Sequence, residues 1–205
     1  MAGANPQTNR LARSPELMNA HDTALLVVDV QERILAAIGD ADRVVWNTRR
    51  LVDGAGLLGV SAAWTEQYPE KLGGTAPELA ERLAAIDAAG PAAKLAFSCG
   101  EHPAIAERWF AEGRRRVLIS GVETHVCVQQ TALDYLAAGF RVYVAVDAVA
   151  SRHAIDHDTA LRRLDSAGVT LTTTEAALCE WVDAAGTPPF KAVSALLKEP
   201  GPENA

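Results

Sequence analysis

The sequence predicts a single three-layer α/β/α domain with a mostly parallel central sheet. Two patterns predict it. Short apolar runs alternate with stretches whose apolar residues recur at helical spacing. Glycines at 59, 113, 139 and 168 each close a helical stretch just before an apolar run, where a helix end favours a left-handed residue. The last two intervals between these glycines are 26 and 29 residues, one strand–helix unit each. The first is 54 residues, and the expectation is that one unit there is replaced by an insertion of loops and broken helix over 66–100.

The elements follow in order. Ala24-Leu25-Leu26-Val27-Val28 is apolar at every position, as a strand covered on both faces requires, and it stops at Asp29. Val44, Leu51, Ala55 and Leu58 form a helical stripe, and 60–64 reads as the second strand. A short helix carries Ile105, Ala106, Trp109 and Phe110, followed by a strand over 116–120. A helix over 125–138 leads to a strand over 140–146, and a helix over 155–167 leads to a strand over 169–172. Thr172-Thr173-Thr174-Glu175 fits a capping box opening a last core helix with Ala177, Leu178, Trp181 and Val182 inward. The domain is expected over 23–198, between an N-terminal tail, 1–22, and a C-terminal tail, 199–205.

Composition narrows the function. The 205 residues are 49% hydrophobic and 22% charged, the profile of an ordinary globular chain. Net charge is −7 and no basic run appears, which speaks against a nucleic-acid partner or an anionic membrane surface. No apolar stretch approaches the ~18 residues of a membrane span. Cys99, Cys127 and Cys179 are odd in number and widely spaced, which fits a reducing, cytoplasmic setting and reads each thiol singly.

Two motifs are set aside. Gly54-Ala55-Gly56-Leu57-Leu58-Gly59 spells GxGxxG, but its glycines end a helix and precede a strand, the reverse of a dinucleotide site. His153 and His157 have a metal-ligand spacing but no third ligand and no general base between them, so a solvated helix start is the better reading.

In a parallel sheet the site lies beyond the carboxyl ends of the strands. Three residues stand out there. Asp29 is the acid that ends the first strand. Lys94 is a cation in the apolar stretch Ala92-Ala93-Lys94-Leu95-Ala96-Phe97, where it needs an acid partner. Cys127 falls near the first turn of a helix, where free amides and the dipole favour a thiolate. Pattern alone leaves Cys127 open between an inert buried thiol and a nucleophile, and the three together are one possible constellation. A phospho-receiver domain also places an Asp and a lysine so, but it needs an acidic pair, and Val28 precedes Asp29.

These residues lie in segments that resemble the isochorismatase-like cysteine hydrolases, closest to the isochorismatase domain-containing branch. The matching pieces are Leu26-Val27-Val28-Asp29-Val30-Gln31, Lys94 with Phe97-Ser98, Gly121-Val122-Glu123-Thr124-His125-Val126-Cys127-Val128, and Asp147-Ala148-Val149-Ala150-Ser151-Arg152. Thr65-Glu66-Gln67-Tyr68-Pro69 and Pro189-Phe190-Lys191 point to the branch. The resemblance implies Cys127 as nucleophile, Asp29 as general base and Lys94 as their cationic partner. It further implies a cis peptide at Val122–Glu123 and an oxyanion hole from the amides of Glu123 and Cys127. The implied activity is hydrolysis of an amide or carbamoyl bond of a small molecule through a thioester, with no cofactor and no metal, in a homo-oligomer. Two departures matter. The metal cluster of family nicotinamidases is replaced by Glu66-Gln67-Tyr68, and Cys127 stands where true isochorismatases generally lack cysteine. A catalytically idle or redox-responsive interaction protein on the same scaffold is the reading from another class. Trp64, Tyr68 and Phe97 are expected pocket walls, with Cys99 an incidental one. The segment from Pro188 to Leu197 is expected to be able to swap onto a neighbour.

Overall fold

A computed structural model describes residues 11–202. Six parallel strands form one sheet in the order β3-β2-β1-β4-β5-β6. They are β1 Thr23–Val28, β2 Ser61–Gln67, β3 Ala89–Lys94, β4 Arg116–Val122, β5 Arg141–Ala150 and β6 Thr170–Thr172. The helices are α1 Glu32–Leu35, α2 Ala41–Leu58, α3 Pro69–Leu72, α4 Pro77–Ala85, α5 Pro103–Ala111, α6 Gln129–Ala137, α7 Ala154–Ser166, α8 Thr174–Val182 and α9 Pro188–Leu197.

Strand β1 sits centrally and every one of its residues is buried. Its alternating side chains supply both faces. Leu25 and Val27 pack with Leu51 of α2, Leu83 of α4 and Leu178 of α8 on one face, while Leu26 and Val28 pack with Trp109 of α5, Tyr135 of α6 and Leu164 of α7 on the other. The expected three-layer domain is thereby realised. The chain order reverses between β1 and β4, so the crevice beyond their carboxyl ends is the topological switch point.

Several local expectations are corrected. The long interval holds a complete unit, α4 and β3, rather than an insertion. Strand β3 reads AGPAAK, is an edge strand, and is partly solvent-facing, so neither apolar continuity nor alternation marks it. Its Gly90–Pro91 bond is cis, and proline is tolerated at an edge because one ladder amide is dispensable there. Strand β2 runs on to Gln67, since Thr65 and Gln67 are buried polar residues rather than loop. The cap of α8 is Thr173, whose hydroxyl accepts from the Ala176 amide, with the Asp147 carboxylate accepting from the Thr174 amide at 2.9 Å. Helix α9 docks on its own domain through buried Val193 and Leu196. Of the expected tails, residues 1–10 and 203–205 lie outside the described residues. Within 11–22, Met18 is fully buried and its amide donates to Glu180 at 2.7 Å, so this part packs on the domain. Of the GxGxxG string, Gly54 and Gly56 lie in α2 and serve packing, a Cβ at Gly54 meeting Leu178 at 2.2 Å and one at Gly56 meeting Ile86 at 2.6 Å, while Gly59 is the left-handed cap that ends the helix.

One glycine controls the site's geometry. Gly121 of β4 has φ +123° and pairs with Val28, and a Cβ there would lie 2.0 Å from the Val28 carbonyl oxygen. Only a residue without a side chain lets β1 and β4 close at the switch point. Gly121→Ala is therefore expected to destabilise the protein by about 3 kcal/mol or more, read as a lowered denaturant midpoint, whereas Gly39→Ala, with open space around its Cβ position, should change the midpoint little.

Candidate active site

The carboxyl ends of four neighbouring strands converge. Asp29 follows β1, Gln67 ends β2, Lys94 ends β3, and Cys127 lies five residues past β4. Asp29 adopts φ +52°, a left-handed conformation that aspartate tolerates better than most residues. Its amide donates to the Thr65 carbonyl at 3.2 Å, and the Gln31 amide closes back on the Asp29 carbonyl at 2.7 Å. This tight turn ends the strand and holds the carboxylate in the crevice.

Asp29 and Lys94 form a buried ion pair, with both side chains wholly buried and Nζ 2.7 Å from Oδ2. Each group's remaining capacity is used. Lys94 Nζ also donates to Gln67 Oε1 at 2.7 Å and the Phe97 carbonyl at 2.9 Å, with the Ala96 carbonyl at 3.3 Å. Asp29 Oδ1 accepts from the Thr65 hydroxyl at 2.7 Å. Such full satisfaction is what makes a buried pair tolerable. Burial works against the Lys94 ammonium, but Asp29 outweighs it and holds its pKa above the ordinary lysine value.

Gln67 is fixed from both ends. Its backbone amide donates to Gln31 Oε1 at 2.7 Å, Gln31 Nε2 donates to its carbonyl at 3.0 Å, and its own Nε2 donates to the Leu95 carbonyl at 2.9 Å. Its Oε1 is left facing Lys94 and lies 3.9 Å from Cys127 Sγ.

Cys127 stands in a π-helical turn, Thr124–Val128, closed by Val128 N–H donating to the Glu123 carbonyl at 3.2 Å. The expected continuous helix thus begins with a wider turn, a feature frequent at functional sites. The Val122–Glu123 peptide is cis. Burial, then the Asp29 carboxylate, pushes the Cys127 thiol well above its ordinary pKa, and Lys94 only partly offsets this. The resting sulfur is therefore a thiol, donating towards Gln67 Oε1 at 3.9 Å, and the helix-start dipole does not by itself make it a thiolate. Cys99 is not a cavity wall. It is fully buried behind Thr65, with Sγ 3.4 Å from the Thr65 hydroxyl. The Thr65 proton is committed to Asp29, so the Cys99 thiol is the donor in that contact. Burial, followed by the charge of Asp29, pushes its pKa to about 11.

A cavity of about 360 Å³ opens onto Cys127 and Gln67. Its walls are mostly apolar, from Ile34, Ala37, Leu72, Phe97 and Val126, with Arg33, Glu123 and Arg152 as the charged residues. Phe97 is one of these walls. Trp64 and Tyr68 are not. Trp64 belongs to the core face of β2, beneath Gly90, and Tyr68 turns at φ +38° to start α3, with its amide on the Lys94 carbonyl. A cleft of about 440 Å³ lies at the opposite end, beside Ser61 at the amino end of β2, where a parallel sheet does not present its site. Of the histidine pair, His153 caps the start of α7 and His157 has Nδ1 3.0 Å from the Thr124 hydroxyl. Among the described residues no group of three or more His, Cys, Asp or Glu side chains is placed to hold a metal ion. No described helix is long and apolar enough to cross a membrane.

Sequence reasoning missed Gln67, Gln31, Thr65 and Arg33. The first three carry a signal like that of Asp29, a polar residue at the carboxyl end of an apolar strand or just beyond it. Arg33 carries none.

Because Asp29 raises the Cys127 pKa, replacing it should lower that pKa. Alkylation of the resting protein by iodoacetamide should rise with a midpoint above the ~8.5 of an ordinary cysteine. In Asp29→Asn, with Lys94 still cationic, the midpoint should fall. A wild-type midpoint well below ~8.5 would contradict this arrangement.

Residues 23–176 match the isochorismatase domain. Isochorismatase domain-containing protein 1 of Danio rerio is 38% identical over 177 residues, 86% of this chain but only 61% of that protein's length. The structure of MAR1 ribonuclease from Caenorhabditis elegans superposes with a TM-score of 0.82 at 35% identity, covering 91% of this chain and 95% of that one. The Escherichia coli YcaC gene product, described as an octameric hydrolase of unknown specificity, superposes with a TM-score of 0.78 at 26% identity, covering 91% and 89%. This chain belongs to the isochorismatase family.

Proposed function

We propose that the protein is a cysteine hydrolase that cleaves an amide or carbamoyl C–N bond of a small molecule through a thioester, without a metal. The observation that carries this reading is a buried carboxylate–ammonium pair set behind a thiol that lines one cavity, with Gln67 Oε1 between the ammonium and the sulfur. Asp29 takes the Cys127 proton as sulfur attacks the carbonyl carbon. Charge then moves from sulfur to the carbonyl oxygen, where the amides of Glu123 and Cys127 form the oxyanion hole; one such donor is typically worth about 3 kcal/mol of barrier. The tetrahedral adduct collapses, the C–N bond breaks, and Asp29 returns the proton to the leaving nitrogen. Water enters, Asp29 takes one of its protons, hydroxide attacks the thioester, and Cys127 leaves to be reprotonated. Lys94 holds the Asp29 carboxylate in position through the 2.7 Å contact while the proton moves on and off it.

The high resting pKa of Cys127 fits this order of events, because attack and proton transfer to Asp29 are coupled and no free thiolate accumulates. The presence of all three groups favours an enzyme over an idle scaffold on the same fold. At the end of β2, Gln67 bonds Lys94 and Glu66 accepts from Thr75 at 2.7 Å, an arrangement that favours cysteine chemistry alone over the metal-assisted nicotinamidase reading. The ribonuclease activity in the worm neighbour's name belongs to that protein. Here a net charge of −7 and a cavity of about 360 Å³ favour a small molecule over a polyanion or a membrane surface. A homo-oligomer is the expected state, given an octameric relative, and the free thiols favour a cytoplasmic setting.

Cys127→Ala should abolish release of ammonia or amine from a panel of small amides, ureides and carbamoyl compounds while leaving the thermal unfolding midpoint within a few degrees of wild type. Undiminished hydrolysis by the purified variant would remove the mechanism.

A further inference from the structure

We infer that Arg33 forms an anion subsite at the mouth of the Cys127 cavity, and that the molecule hydrolysed carries a carboxylate or other single negative charge at the end away from its scissile bond. This rests on the hydrolase reading and names its substrate class.

The charges around the cavity lead to it. Behind Cys127 and Gln67, Asp29 and Lys94 form a buried ion pair with each other. On one wall, Glu123 accepts from Arg152 twice, from Nε at 3.1 Å and from its backbone amide at 2.9 Å. That acid and that cation are therefore committed to each other. Arg33 is the remaining charged wall. Among the described residues no carboxylate forms an ion pair with it, and its recorded hydrogen bond goes from Nη1 to the Lys71 carbonyl at the end of α3. A guanidinium has five N–H donors in a planar fork, so this contact orients Arg33 and leaves most of the fork unused. The cavity wall thus carries one uncompensated positive charge in a chain whose net charge is −7. The overall field repels anions, and a fixed local cation is what admits one.

The rest of the wall sets the shape of the ligand. Ile34, Ala37, Leu72, Phe97 and Val126 are apolar and accompany the charged mouth and the reactive floor in a space of about 360 Å³, at the small end of ligand sites. A short hydrocarbon spacer fits such walls. The anion is matched at one end by Arg33, and the amide or carbamoyl carbon is presented to Cys127 at the other.

Two reagents that differ only in charge test this without knowledge of the natural substrate. Iodoacetate and iodoacetamide each alkylate a thiol with loss of iodide, the thiol proton passing to base. Their rate ratio at Cys127, followed by peptide mass analysis and divided by the same ratio for free glutathione, reports how the cavity treats an anion. The wild-type quotient should favour iodoacetate by roughly tenfold, the value of one charge-assisted hydrogen bond, and should shrink as salt is raised. Arg33→Gln should bring it near one while leaving the iodoacetamide rate unchanged, and Arg33→Lys should retain part of it. If Arg33 serves only to cap α3, Arg33→Gln will lower stability and leave the quotient as it was, which overturns the inference. An ordinary iodoacetamide rate with no wild-type preference for iodoacetate overturns the inference alone. A Cys127 inert to both reagents overturns it together with the hydrolase reading.

Discussion

The buried pair of Asp29 and Lys94 is the interaction on which the rest depends. Taking two charges out of water costs several kcal/mol per ion, and the cost is met only when geometry and hydrogen bonding are complete. Here Thr65, Gln67 and the Phe97 carbonyl complete them. Removing one partner from such a pair typically costs about 3–5 kcal/mol, so the surrounding residues are constrained in type as well as in position. Thr65 must donate, Gln67 must accept, and the backbone beyond β3 must turn its carbonyls inward. The electrostatics of the cavity floor follow from that set, including the thiol held in its protonated form.

The parallel sheet explains how distant residues reach this point. Strand order places β2, β1 and β4 side by side, with β3 at the edge beyond β2. Asp29, Gln67, Lys94 and the turn bearing Cys127 then share one end of the sheet, although Asp29 and Lys94 are 65 residues apart in the chain. Gly121 permits the closest approach, between β4 and β1. Hydrophobic burial on both faces fixes the register, and the register places the chemistry.

Much of this was legible beforehand, for physical reasons. The run Ala24–Val28 ending in Asp29 announces a covered strand whose last residue faces a crevice, and the helix-ending glycines mark the unit length. Lys94 was visible as a cation among apolar residues. Strand β3 was not legible, because an edge strand is half solvated and its AGPAAK lacks both apolar continuity and alternation. Trp64 was misplaced because an aromatic near a strand end has two faces available, and only the tertiary packing beneath Gly90 decides between them. The thiol's protonation was misjudged because the sequence shows the helix start but not the depth of burial or the nearness of Asp29. Arg33 was invisible, since a charged residue on a short surface helix says nothing of the cavity it borders.

The central claim is that Cys127 forms a covalent acyl intermediate under the control of Asp29. Its most direct test is intact-mass measurement of the protein quenched in acid during turnover of an amide or carbamoyl substrate. The account predicts a mass increase equal to the acyl group, mapped to the peptide containing Cys127, sensitive to hydroxylamine, and absent from Asp29→Asn. Turnover with no such adduct at any quench time, or an acyl group mapped to another residue, would contradict it.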